Sequence, residues 1–161
     1  MTLAETLLQK LADWRPAGEG RHAVGLSLPD HGWTVRLTAD RVDTLSCALT
    51  EVEAERATPL SDDDKLLEAH ARRAAGRVTG LLEPVRLIEI DRVRHIALVR
   101  SDSPPEKDGS VHFYEITFCG RNRVKVERFK AAKQSPAKRE SIRFVLTHEV
   151  LAKLVDDLVR D

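Results

Sequence analysis

One dipeptide, His148-Glu149, is the part of the sequence that comes nearest to a metal-hydrolase motif. A zinc-protease helix carries its second imidazole four residues after the first, and that position is Ala152. Glu149 suits the first turn of a helix instead, where a carboxylate faces the positive end of the helix dipole. The sequence therefore does not indicate a zinc protease.

Two other histidines, His95 and His112, stand at the start of predicted strands on either side of a loop at 103–109. If those strands pair, the two imidazoles can face each other, and Glu89 or Asp91 is available as a third metal ligand. An enzyme with its active site near His95 and His112 is therefore one alternative function, although these residues do not have the compact spacing of a known metal-binding motif.

Local motifs for nucleophilic catalysis or nucleotide binding do not occur in the sequence. It contains no G-x-S-x-G elbow and neither of the glycine-rich phosphate loops, G-x-x-x-x-G-K-[ST] and G-x-G-x-x-G. Cys47 and Cys119 lie in apolar runs without a basic neighbour, so we expect two buried thiols and no zinc or redox motif. We predict no cofactor and favour a protein without catalysis.

Charge is the one feature that is unevenly distributed along the chain. The 26 basic and 26 acidic residues cancel, which removes the long-range field of a general polyanion binder. Segment 121–143 nevertheless holds nine basic residues against Glu127 and Glu140, and segment 40–65 is correspondingly acidic. The predicted binding residues lie in the basic segment: Arg121, Arg123, Lys125, Arg128, Lys130 and Lys133.

Three interpretations of segment 121–143 are open. It can be a solvated sheet face, or a charged patch that meets a complementary patch on another protein or on a second copy. It can also be a basic hairpin with a Lys-rich loop that contacts the phosphates of a nucleic acid, with affinity that falls steeply as salt is added. Because only 4% of the residues are aromatic, base recognition is disfavoured. We expect a non-enzymatic protein-binding or assembly module, chaperone- or adaptor-like, that forms a homodimer.

Periodicity predicts the elements that position these residues. Three segments repeat apolar residues at helical spacing, and each follows a capping residue: Thr2, Ser61 and Thr147. Alternating apolar residues predict strands near 24–28, 33–37, 42–54, 85–91, 95–101, 111–119, 123–130 and 141–146. Segment 42–54 also fits a helix, but its Thr, Cys and Val residues favour a strand. Between the last two strands, the polar stretch 131–139 is expected to be a loop.

The resulting order is α-β-β-β-α-β-β-β-β-β-α, in one domain over residues 1–161. Its strand links are too short for parallel crossovers, so we predict an α+β fold with three helices and a mainly antiparallel sheet of about six to eight strands. This order is similar to that of small secretion-chaperone-like α+β proteins, and the resemblance implies a dimer that holds a client segment.

The start of the chain bears on its location in the cell. Glu5 stands where a signal peptide would be basic, and no window of the sequence is apolar enough to span a membrane. We therefore expect a cytoplasmic protein.

Overall fold

Three helices and ten strands appear in the computed structural model, which describes residues 1–18 and 20–161. The helices are α1 (Leu3–Ala12), α2 (Asp64–Arg77) and α3 (His148–Val159). The strands are β1 (His22–Leu28), β2 (Trp33–Val42), β3 (Ser46–Arg56), β4 (Val85–Asp91), β5 (Ile96–Ser101), β6 (Glu106–Lys107), β7 (Ser110–Cys119), β8 (Arg123–Ala132), β9 (Ser135–Ile142) and β10 (Phe144–Thr147). The predicted α+β class and order of elements are confirmed.

The strands form one open sheet in which neighbours run antiparallel, as their short connections require. Its main path follows the order β1-β2-β3-β8-β7-β5-β4. Most of the ambiguous segment 42–54 is a strand, as expected: β3 begins at Ser46, whereas Val42 is the last residue of β2. β3 lies near the middle of the path. β1 and β4 are the two edges of this path.

The middle of the sheet divides where β8 changes partner. The first half of β8 pairs with β3, with Arg123 opposite Glu55, and its second half pairs with β9, with Arg128 opposite Ile142. The chain then crosses back, and β10 pairs with the first half of β3. β9 and β10 therefore fill the fork that opens between β3 and β8.

Two regions contain more strand structure than the sequence predicted. β8 continues to Ala132 and β9 begins at Ser135, so most of the expected loop at 131–139 belongs to a hairpin. Apolar alternation did not reveal β9 because its sequence, SPAKRESI, is mostly polar and its apolar residues do not alternate with polar ones. In the loop at 103–109, the two-residue strand β6 pairs with β7.

Capping groups begin the three helices. Thr2 and Glu5 form a reciprocal capping box at α1, and the Thr147 hydroxyl accepts the amide of Val150 at α3. The expected cap of α2 was Ser61, but the cap is Asp63, whose carboxylate accepts the amide of Leu66. The helix starts two residues later than predicted because the acidic run supplies a capping oxygen of its own.

The core lies between the helices and one face of the sheet, here called the inner face. Alternate residues of β2, such as Val35 and Leu37, pack there with Leu7 of α1, Leu67 of α2 and Leu151 of α3. The opposite, outer face carries a small second cluster: Phe113, Phe129, Ala131 and Val111. In the part of the chain that the structure describes, no helix has the length and apolarity needed to cross a membrane.

Candidate functional site

The six predicted binding residues do not share one face. On β8, Arg123 and Lys125 point to the outer face, whereas Arg128 and Lys130 have the parity of the core residues Val124 and Val126. The other two, Arg121 and Lys133, lie in the turns before and after β8.

On the outer face, the acidic strand β3 lies directly beside the basic strand β8. Glu53 is opposite Lys125 and Glu55 is opposite Arg123. Arg123 Nε lies 3.9 Å from Glu53, and Arg36 of β2 lies 2.8 Å from Glu55 and 3.5 Å from Glu53. Charges that are separated along the sequence therefore compensate each other across neighbouring strands.

Other cations of segment 121–143 also meet carboxylates. Lys125 pairs with Glu127 at 3.3 Å, Lys133 with Glu106 at 3.1 Å, and Arg128 with Glu83 at 2.6 Å. Within residues 1–18 and 20–161, four cations of the segment have no carboxylate within 4.0 Å: Arg121, Lys130, Lys138 and Arg143. Five of the nine cations are therefore ion-paired, which reduces the positive field that nucleic-acid binding through 121–143 would use. That the six residues bind a partner stays a prediction.

Arg121 and the residue after it hold the connection between β3 and α2. The side chain of Asn122 brackets Leu60, accepting its amide at 2.7 Å and donating to its carbonyl at 3.0 Å. Arg121 donates to the carbonyl oxygen of Ser61 at 3.1 Å. The turn between β7 and β8 therefore stabilises the connection between β3 and α2.

Glu115 is a buried carboxylate that joins β5, β7 and β9. Arg100 and Arg139 each donate to its Oε1 at 2.8 Å. Their guanidinium groups lie over the second cluster, Arg139 at 4.0 Å from the Phe129 ring centre and Arg100 at 5.2 Å from that of Phe113. Burial alone would raise the pKa of Glu115, but the hydrogen bonds and charges of the two arginines outweigh it and lower the pKa.

The expectation that His95 and His112 face each other is wrong. Ile96 lies opposite Cys119, so His95 lies beside Gly120, whose amide donates to its carbonyl at 2.7 Å. His112 is near the other end of β7, roughly 25 Å away at the usual rise of a strand. Antiparallel pairing puts the start of one strand beside the end of the other, which separates the two imidazoles. Among the residues that can be described, no three His, Cys, Asp or Glu side chains are grouped to hold a metal ion.

His95 is held by the acidic start of α2 instead. Its Nδ1 lies 2.8 Å from Asp64 and its Nε2 lies 3.6 Å from Asp62. The hydrogen bond that His95 donates to Asp64, with the charges of Asp62, Asp64 and Asp91, raises the pKa of His95 although desolvation opposes this. This contact fastens the start of α2 to the turn between β4 and β5.

The two cysteines differ in environment. Cys47 is buried, as expected, and burial together with the charge of Asp43 raises the pKa of its thiol to about 11. The thiol is therefore protonated at neutral pH and is a poor nucleophile. The expectation is wrong for Cys119, which is only half-buried because it lies on the outer face.

The two edges of the sheet differ in their protection against pairing with another strand. β4 carries the charged residues Arg86, Glu89 and Asp91. A register shift against β5 also leaves Ile88 of β4 without a partner residue. Charges and bulges are the usual devices that prevent edge pairing. β1 has no charged residue and pairs with β2 without a register shift, and its exposed side chains are small: Ala23, Gly25 and Ser27. Of these two edges, β1 is therefore the less protected against pairing with a further strand.

Comparisons of the chain with protein-family models, with curated proteins and with solved structures found no match.

Proposed function

We propose that this protein is a non-enzymatic assembly module that forms a homodimer by pairing β1 with β1 of a second copy. The observation that carries the proposal is the neutral, regular edge strand at His22–Leu28. The outward N–H and C=O groups of an edge strand are a template for another strand. The proposal names no catalysis, since His95 and His112 stand apart and the Cys47 thiol is protonated.

A second copy suits this edge because two identical strands can pair antiparallel around a two-fold axis. With the axis at Gly25, Val24 lies opposite Leu26 of the partner subunit, and Ala23 lies opposite Ser27 of the partner subunit. Just outside the strand, exposed Arg21, which lies 3.4 Å from Asp40 of its own chain, would come near Asp30 of the partner subunit, so opposite charges would also approach each other there. Seven neutral positions and one complementary pair on each side favour self-association.

We propose the cytoplasm as the location, where the free thiols of Cys47 and Cys119 would stay reduced. A chaperone- or adaptor-like role would place an extended client segment on the same edge, in competition with the second copy.

Sedimentation velocity over the micromolar range tests the dimer. The double substitution A23K/S27K changes two exposed positions of β1 and, in the two-fold register, places lysine opposite lysine twice. We expect the dimer to dissociate at least about 100-fold more readily, since facing like charges cost several kcal/mol at an interface. Circular dichroism should stay unchanged because neither side chain is in the core.

The matched control is A23K/S27E, which alters the same positions but places lysine opposite glutamate. It should retain the dimer. A wild-type protein that sediments as a monomer at high micromolar concentration overturns the proposal, and equal dissociation of the two variants overturns the two-fold register.

A further inference from the structure

A polar cleft of about 290 Å³ opens on the outer face at the fork between β3 and β8. We call it the fork cleft. Its lining comes from β2, β3, β8, β9 and the chain beside them: Arg21, Thr38, Asp40, Thr50, Glu51, Glu127, Ser141 and Arg143. Beside it, the register between β2 and β3 shifts at Asp40, so this carboxylate has no cross-strand partner residue. Bulges of this kind often lie next to binding sites, where they redirect a side chain.

Two charges in the fork cleft lack a counter-charge. Asp40 is paired with Arg21 at 3.4 Å, and Glu127 is paired with Lys125 at 3.3 Å. By contrast, Glu51 and Arg143 have no ion pair within 4.0 Å, either with each other or with any other residue that the structure describes. One unpaired anion and one unpaired cation therefore line the same cleft.

The environment of Glu51 is unfavourable for its negative charge. Partial burial raises the pKa of Glu51, and the nearby charges of Glu127 and Glu53 raise it further, while Lys125 opposes them. A cation bound beside Glu51 would relieve this unfavourable environment and stabilise the ionised carboxylate.

We infer that the fork cleft binds a compact zwitterion, a small molecule that carries a primary ammonium group and a carboxylate. The ammonium group would bind to Glu51, and the carboxylate would bind to Arg143. The Ser141 hydroxyl is a further partner, and the Thr50 hydroxyl, which donates to the carbonyl of Thr38, can still accept from the ammonium group. The cleft has room for roughly ten non-hydrogen atoms, judged by a water's volume of about 30 Å³.

Other ligand classes fit the lining less well. A simple anion would be repelled by three carboxylates, and a sugar would find no aromatic ring among the lining residues that are described. A simple cation would leave Arg143 without a partner. This inference goes beyond the proposed dimer and does not depend on it.

Titration with γ-aminobutyrate, followed by the backbone amide signals of Thr38, Thr50 and Ser141 in NMR spectra, tests the inference. Butylamine and butyrate are the matched probes, because each carries one of the two charges on a similar carbon chain. We expect saturable shifts at millimolar γ-aminobutyrate and much weaker shifts with either single-charge probe. β-Alanine and longer ω-amino acids then measure the preferred distance between the charges.

Glu51→Gln and Arg143→Gln should each weaken the binding about tenfold or more, since each removes a hydrogen bond between two charged groups, which is stronger than one between neutral groups. Arg36→Gln and Glu55→Gln remove charges from the same face outside the cleft and should leave the affinity unchanged. Three results would overturn the inference: no saturable shift with any of the zwitterions, equal binding of butylamine and γ-aminobutyrate, or equal weakening by all four substitutions.

Discussion

The basic strand β8 is conspicuous in the sequence but has strand partners on both sides in the fold, whereas the edge strand β1 is inconspicuous in the sequence but has a strand partner on one side only. β8 stands out in the sequence because its segment concentrates positive charge, yet β3 and other neighbours supply carboxylates to most of those cations. β1 attracts no notice in the sequence, yet its outward backbone groups have no strand partner. Charge that is separated along a chain can therefore pair across neighbouring strands, whereas the edge proposed for binding carries no charge at all.

If the charges around β8 hold the fold together, removing the most buried of them should have the largest effect on stability. Glu115→Gln leaves Arg100 and Arg139 without their shared carboxylate. We expect the free energy of unfolding, measured with urea, to fall by about 2 kcal/mol, less than for a fully buried pair because both arginines are partly exposed.

The control is Glu106→Gln, which breaks the exposed pair with Lys133 and should change stability by less than about 0.5 kcal/mol. Neither substitution should alter the oligomeric state. A loss of the dimer in Glu115→Gln at full stability would contradict the division of roles between the two strands.

A smaller effect is expected from reversing the outer-face charges of β8. R123E/K125E places glutamate opposite Glu53 and Glu55, and facing like charges across a sheet destabilise it by about 1 kcal/mol. Adding E53K/E55K should restore only part of the stability, because Arg36 then loses both of its carboxylates, and urea unfolding of the three proteins would show this. If the reversal leaves stability unchanged but dissociates the dimer, β8 is a binding strand after all.

The fold was more predictable than the site because the two depend on different signals. Capping residues and apolar alternation placed the helices and most strands, since each requires a pattern within a few neighbouring residues. Those patterns contain nothing about which strands become neighbours, so the pairing of Glu53 with Lys125 could not be read from them. The fork cleft is unpredictable for the same reason, because Glu51 and Arg143 line one cleft only where β9 and β10 fill the fork.

The smallest expected effect concerns the pH dependence of stability away from both strands. Because the folded state raises the pKa of His95, its contribution is complete below the ordinary value of about 6.5 and is lost as pH rises through the folded value. The urea midpoint of His95→Asn should therefore lie below that of wild type in mild acid, with the difference shrinking towards alkaline pH. Asparagine is chosen because it tolerates the left-handed backbone at this position, φ 56°. A difference that does not vary with pH would contradict the contact with Asp64 as its source.

Amide hydrogen exchange of both sheet edges at low and high protein concentration tests the central claim most directly. The outward N–H groups of β1 should become protected as the concentration rises, because they pair with β1 of the partner subunit, while those of β4 should exchange at the same rate throughout. Exchange of the β1 amides that does not change with concentration, or protection that grows at β4 instead, would contradict the account.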